Sequence, residues 1–172
     1  MKIIFLDIDG VLNHEAFYRE RFENRYEKGA IEHPYSEIDP KCTEHLNILC
    51  QDTGAKVVIS STWRHSGLDY CKDVLEFHGF RGEIIDITPS LRGNDYIRGN
   101  EILKWIKDNE KLIGQPYYNF TEYVILDDDS DMLYWQRNNF LLIDRFVGLT
   151  MGDVFRAKKI LNNGKIKDTG EL

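Results

Sequence analysis

Apolar residues in this chain fall into short runs separated by stretches of helical period. The runs predict strands at Lys2–Leu6, Lys56–Ser60, Glu83–Asp86, Tyr123–Leu126 and Phe140–Ile143, each short and most of them rich in Ile and Val. Such runs suit strands covered on both faces, because a half-exposed strand would alternate apolar with polar residues. Between them the pattern predicts helices at Pro40–Asp52, Leu68–His78, Asn100–Asn109, Asp131–Asn138 and Gly152–Asn162. In the third of these, Ile102, Leu103, Trp105 and Ile106 form one apolar stripe, which assigns Trp105 to the core. Strands alternating with helices predict an α/β fold built on a parallel sheet.

The stretch 14–39 breaks the alternation. It is dense in charged and aromatic residues, among them Phe17, Tyr18, Arg19, Arg21, Phe22, Arg25, Tyr26 and Lys28, and has no clean strand. It reads as a small cap-like insertion after the first strand, a long loop or a helical flap, too small to be a domain. Its basic and aromatic residues suit pairing with phosphates and stacking on bases. A solvated helix in which Glu23 and Glu27 pair with Arg21 and Arg25 accounts for them equally well. The tail beyond Asn163 reads as frayed.

At 172 residues, with 42% apolar and 30% charged, the chain has the length and composition of one globular domain. Its 22 basic and 29 acidic residues leave a formal charge of −7, which argues against non-specific coating of nucleic acid. Asp7 and Asp9 interrupt the N-terminal apolar run too early for a signal peptide, and no later run is long enough to span a bilayer. The expected location is the cytoplasm. Three cysteines without CxxC spacing, Cys42, Cys50 and Cys71, suggest reduced structural thiols.

Ligands of an open parallel sheet sit beyond the carboxyl ends of its strands, so the residues after each run carry the chemistry. The first run ends in Asp7-Ile8-Asp9-Gly10, the second in Ser60-Ser61-Thr62-Trp63-Arg64, and the fourth in Asp127-Asp128-Asp129-Ser130-Asp131. Up to six carboxylates therefore converge on one rim, and like charges this close raise one another's pKa unless a cation joins them. Mg²⁺ fits such a site, with Asp7, Asp9 and Asp127 expected around it, since it takes one or two protein carboxylates and leaves its other positions to water and a substrate phosphate. Donors for the phosphate would be the hydroxyls of Ser60 and Ser61, the Arg64 guanidinium and the backbone N–H groups of Ser61 and Gly10.

Taken together, "FLDIDGVLN", "KVVIS", "IRGNEILKWI" and "YVILDDDSDM" resemble, in order, the four motifs of the haloacid dehalogenase (HAD) superfamily of Mg²⁺-dependent phosphohydrolases. The resemblance spans about Lys2 to Asn162 and implies a Rossmann-like, HAD-type sheet with helices on both faces. It implies that Asp7 is a nucleophile forming an aspartyl-phosphate, and that Asp9 is the acid for the leaving oxygen and then the base for water. Ser60 matches the second motif, with Ser61 a competitor one residue on. Arg98 matches the third, with Arg92 and Lys104 as rivals. Asp127 and Asp128 match the metal-side pair of the fourth, and Asp131 falls at its DxxxD spacing, either as a ligand or as a first-turn residue of the following helix.

More narrowly, "DIDGVLN", "SSTWR", "VILDDDSDM" and "VGLT" resemble HAD domains of RNA-repair proteins and the phosphatase half of polynucleotide kinase/phosphatases. That likeness implies a phosphate-binding role for Arg64 and a nucleic-acid 3′ end as substrate, RNA or DNA. A nucleotide or small phosphomonoester is the alternative substrate, and a non-catalytic nucleic-acid-end binding module the alternative of another class. No P-loop is present, so no kinase half is expected.

Overall fold

The computed structural model describes residues 1–28, 38–93 and 96–162, without the side chains of 22–28. The pairing expected of Glu23, Arg25 and Glu27, the roles of Phe22, Tyr26 and Lys28, and the tail after Asn163 lie outside these residues.

Five strands, β1 (Ile3–Leu6), β2 (Lys56–Ile59), β3 (Ile84–Ile87), β4 (Tyr123–Asp127) and β5 (Phe140–Leu142), form one sheet in the order β3-β2-β1-β4-β5. Every pairing is parallel. The alternating pattern of runs and helices is thus realised as an α/β sheet of the expected Rossmann-like kind. The helices are α1 (Glu15–Lys28), α2 (Pro40–Thr53), α3 (Leu68–Phe77), α4 (Arg98–Asp108), α5 (Glu110–Ile113) and α6 (Met151–Leu161).

The sheet divides the core into two layers. Ile4 and Leu6 of β1, with Val57, Ile59, Val124 and Leu126, pack against α2, α3 and α6 through Leu46, Leu49, Val74, Leu75 and Val154. Ile3 and Phe5, with Val58 and Ile125, pack on the other face against Ile102, Trp105 and Ile106 of α4. Each central strand buries both faces, which is why its sequence runs apolar without alternation. Trp105 is in the core as expected, 2% exposed, with its indole N–H bonded to Asp86 at 2.7 Å.

The chain lays β2 and then β3 to one side of β1, and crosses back through α4 to start β4 on the other. This reversal makes β1/β4 the switch point, where neighbouring connections leave in opposite directions and open a crevice at the carboxyl edge.

One local departure from the sequence pattern matters. Where a helix is expected over Asp131–Asn138, only a 3₁₀ turn at Tyr134–Asn138 forms. Asp131 is taken up elsewhere, and Gln136 ties its segment to α4 by accepting from Leu133 N (2.8 Å) and donating to Gly99 O (3.0 Å). A Cβ on Gly99 would lie 2.5 Å from Leu133 N, so only glycine permits this approach. The stretch after β1 forms a helix over its first part, α1, which settles that part of the insertion as helical rather than loop.

Among the described residues, no helix is long and apolar enough to cross a membrane. All three cysteines are buried and free, and burial pushes their thiols up to about 11 or 12.

Candidate active site

Strand register sets the site. Leu6 lies opposite both Ile59 and Leu126, so the next residues, Asp7, Ser60 and Asp127, stand abreast at the carboxyl edge. The ladder continues through them: Asp7 N donates to Leu126 O, Ser60 N to Leu6 O, and Ile143 N to Asp127 O, each at 2.9 Å. These carboxylates are therefore fixed by backbone bonds rather than by a mobile loop.

Into this row α4 delivers Arg98 from its first turn. Its Nη1 lies 3.2 Å from Asp7 Oδ1 and also donates to Ser60 O, while its Nε is 3.5 Å from Asp127 Oδ2. Asp131 is what aims it. The Asp131 carboxylate accepts from Arg98 N at 2.8 Å and its carbonyl from Gly99 N at 3.2 Å, capping a helix whose own N-cap position is Ile97.

Asp7, Asp127 and Asp128 bring carboxylate oxygens within 4.8 Å of one another. Asp127 is fully buried and Asp7 nearly so. Burial, then the neighbouring Asp7 charge, pushes the Asp127 carboxyl up to about 7. Burial likewise raises Asp7, against the lowering pull of Arg98 and a hydrogen bond from Ser61. Asp127 Oδ2 is buried without a hydrogen-bond donor. A buried oxygen with no hydrogen bond, its ion-pair neighbour Arg98 Nε at 3.5 Å, in a cluster of hard donors fits a hard divalent cation. Asp128 completes the group while pairing with Arg145 at 2.8 Å.

Gly10 lies against this cluster. Its φ of +74° favours glycine, and a Cβ there would come within 2.3 Å of Asp128 Oδ2. Its N–H is bonded to Asn13 Oδ1 at 3.0 Å, within the turn that β1 makes after Ile8.

The remaining sequence-predicted residues divide. Asp9 is exposed at the mouth, outside the metal-sized group, and its carboxylate accepts from Asn13 Nδ2 (2.8 Å) and Trp63 Nε1 (3.0 and 3.2 Å). Asp131 also lies outside the group, committed to α4. The hydroxyl meeting Asp7 belongs to Ser61, whereas Ser60 Oγ is buried without a partner.

Arg64 does not face the crevice. It is 4% exposed, donating to Ser60 O (2.6 Å) and Ser61 O (2.8 Å) and pairing with Glu101 at 2.6 Å. Those contacts hold the loop after β2 and commit both terminal nitrogens of the guanidinium expected to bind phosphate, while its Nε is buried without a partner. Of the rivals to Arg98, Lys104 pairs with Asp108 and Arg92 is exposed.

Residues 3–154 match the family model described as the HAD domain in Swiss Army Knife RNA repair proteins. The chain belongs to this family. No curated protein and no solved structure gives a significant match. The HAD assignment agrees with the site: an acidic pair at the switch point, a hydroxyl beside it and a cation from a helix head. As a HAD domain of RNA-repair type, the chain carries a phosphatase architecture on a metal-sized carboxylate cluster.

Sequence reasoning missed Trp63, Asn13, Glu101 and Arg145 as site neighbours. Trp63 sits inside "SSTWR", but no sequence signal tells that its indole N–H faces Asp9. Glu101 lies three residues after Arg98 on α4, at the spacing that shares a helix face.

A second group, His14, Asp39 and Cys42, lies at the root of the insertion. His14 bonds Asp39 Oδ2 at 2.9 Å and Phe146 O at 3.1 Å, so it is a loop-fastening residue. Gly148 packs so closely that a Cβ would meet His14 Cδ2 at 2.6 Å and Cys42 Sγ at 2.9 Å.

Proposed function

We propose that this HAD domain is a Mg²⁺-dependent phosphomonoester hydrolase that works through an aspartyl-phosphate and removes a 3′-phosphate from nucleic-acid ends. The observation that carries this reading is the row Asp7–Ser60–Asp127 with Arg98 inserted into it.

Asp7 is the nucleophile. Its carboxylate is held by backbone and by Arg98, so attack on a phosphorus in line with the leaving oxygen needs little rearrangement. Arg98 and the Ser61 hydroxyl offset the charge on the transferring group, with Ser60 Oγ, buried and unbonded, as a further donor. Asp9, at the mouth, gives its proton to the leaving oxygen and then takes one from the water that hydrolyses the aspartyl-phosphate. Asp7, Asp127 and Asp128 would hold Mg²⁺, which would offset the phosphate's charge and the carboxylates' mutual repulsion.

The family's RNA-repair setting supports a nucleic-acid end as substrate. So do exposed aromatics on segments that follow strand ends: Tyr96 after β3, and Tyr134 and Trp135 after β4, with Arg137 stacked over Tyr134 at 4.1 Å. Bases stack on such rings without regard to sequence.

The test compares phosphate release from a 3′-phosphorylated oligonucleotide, a 5′-nucleotide and an aryl phosphate. The oligonucleotide should be preferred by at least about tenfold in kcat/KM, roughly 1.4 kcal/mol of discrimination. Equal rates would favour a general phosphomonoesterase, and tight binding without turnover an end-binding module.

A further inference from the structure

We infer that Trp63 is a positioning residue for Asp9, acting through its indole N–H; this rests on the phosphatase reading above. Asp9 is exposed, and an exposed aspartate ordinarily samples several rotamers and satisfies itself with water. Here two N–H groups hold it. One is Asn13 Nδ2, four residues on, from a side chain that belongs to the turn and also accepts from Gly10 N. The other is Trp63 Nε1, 54 residues away on the loop after β2, donating to both carboxylate oxygens at 3.2 and 3.0 Å.

An indole N–H donates and cannot accept, so it orients the carboxylate without competing for the proton. Trp63 is itself fixed. Its ring lies 6.3 Å from that of Tyr70 and packs on the core, and its backbone N–H bonds Ser61 Oγ at 3.4 Å. Its 3₁₀ turn, Thr62–Ser66, is stapled by Arg64 to the Ser60 and Ser61 carbonyls and to Glu101, whose other oxygen accepts from Leu91 N at 3.0 Å. A buried, tethered frame therefore ends in one donor aimed at the mouth.

The proton balance says what that donor contributes. As Asp7 oxygen bonds to phosphorus and the bond to the leaving oxygen breaks, the Asp9 carboxyl proton passes to that oxygen and a carboxylate remains. The N–H groups of Trp63 and Asn13, already bonded to these oxygens, bond the charged form more strongly than the neutral one and so stabilise the charge as it appears. Attack by water on the phosphorus of the aspartyl-phosphate returns a proton to Asp9 and frees Asp7 as a carboxylate. Trp63 matters most where the leaving oxygen is a poor one, because a good leaving group departs without full protonation.

The test is Trp63→Phe, which keeps a ring and removes the N–H. It is read as kcat/KM, which ends at the first irreversible phosphoryl transfer and is blind to the later hydrolysis. On a nucleoside 3′-phosphate or alkyl phosphate the value should fall about tenfold or more, and on an aryl phosphate with an acidic phenol less than about twofold. Retained aryl activity also proves the variant folded. Equal losses on both, or none on either, would overturn the proposal. A second readout needs no turnover: the Trp63 indole N–H resonance, assigned by its absence in Trp63→Phe, should shift and lose exchange protection in Asp9→Ala. An unmoved resonance would also overturn it. If the native enzyme hydrolyses neither ester, the phosphatase reading itself falls and takes the role of Trp63 with it. A native enzyme that works beside a Trp63→Phe variant with unselective loss refutes only the Trp63 role.

Discussion

Arg98 and Asp7 meet 3.2 Å apart across the β1/β4 crevice, one from a helix head and the other from a strand end, 91 residues apart in sequence. The same guanidinium reaches Asp127 and the Ser60 carbonyl, so one cation ties together the ends of three strands that build the site.

Loss of Arg98 should therefore cost chemistry more than folding. Removing a preorganised donor of transition-state charge typically lowers kcat about 10²–10³-fold, and Arg98→Ala is expected in that range. Arg98→Lys should recover part of it, since charge returns without the fork that spans Asp7, Asp127 and Ser60. Steady-state kinetics on both variants check this, with near-native kcat in Arg98→Ala as the opposing result.

The buried pair Arg64–Glu101 gives a prediction about stability. Both side chains are 3% exposed, so Arg64→Ala leaves a carboxylate buried without its partner. The expected cost is about 3–5 kcal/mol, read as a lowered denaturant midpoint. The double change Arg64→Met with Glu101→Leu should recover most of it. If Arg64 instead served mainly to bind substrate, Arg64→Ala would raise KM and leave the midpoint where it was.

These two arginines mark how far the sequence can be read. The strands are legible because short, unbroken runs rich in Ile and Val suit strands covered on both faces, and their ends fall within a residue or two of expectation. From those ends Asp7, Asp127 and Asp128 can be placed together. Arg64 is not legible in the same way, because an arginine beside a strand-end serine pair looks the same in sequence whether it faces a ligand or Glu101, 37 residues away. The segment after Asp131 has the periodicity of a helix, yet capping α4 uses the residue that would have begun it. The choice between Ser60 and Ser61 turns on one residue of register, and β2 ends at Ile59 opposite Leu6. Tertiary partners of this kind leave no local pattern.

Gly10 should tolerate no side chain. Gly10→Ala places a methyl group 2.3 Å from Asp128 Oδ2 at a φ of +74°. Backbone strain alone costs on the order of 1 kcal/mol or more, and displacing Asp128 weakens the cation site as well. Calorimetric titration with Mg²⁺ should show affinity lowered about tenfold or more alongside a reduced Tm; unchanged Mg²⁺ binding would contradict the placement of Asp128.

Asp7 and Asp127 give a pH dependence of defined sign. Burial raises both above the ordinary value of 3.8, Asp127 to about 7, so the folded chain binds protons more tightly than the unfolded one. The contribution of Asp127 to stability is complete below about pH 4 and is lost as pH rises through about 7, and that of Asp7 has the same sign. A divalent cation competes with those protons and relieves the repulsion, so its stabilisation should grow over the same window. Thermal melts should show Mg²⁺ raising Tm by several degrees near about pH 8 and much less near about pH 5. A larger Mg²⁺ effect at the acid end would reverse the assignment.

The central claim is that Asp7 becomes phosphorylated. It is tested most directly by mixing the enzyme and Mg²⁺ with a 3′-phosphate-labelled oligonucleotide, quenching in acid within the first turnover, and mapping the label by peptide mass spectrometry. Phosphate is expected on the peptide containing Asp7 in the native chain and none in Asp7→Asn. Phosphate released at the native rate by Asp7→Asn, or a label carried by another residue, would contradict it.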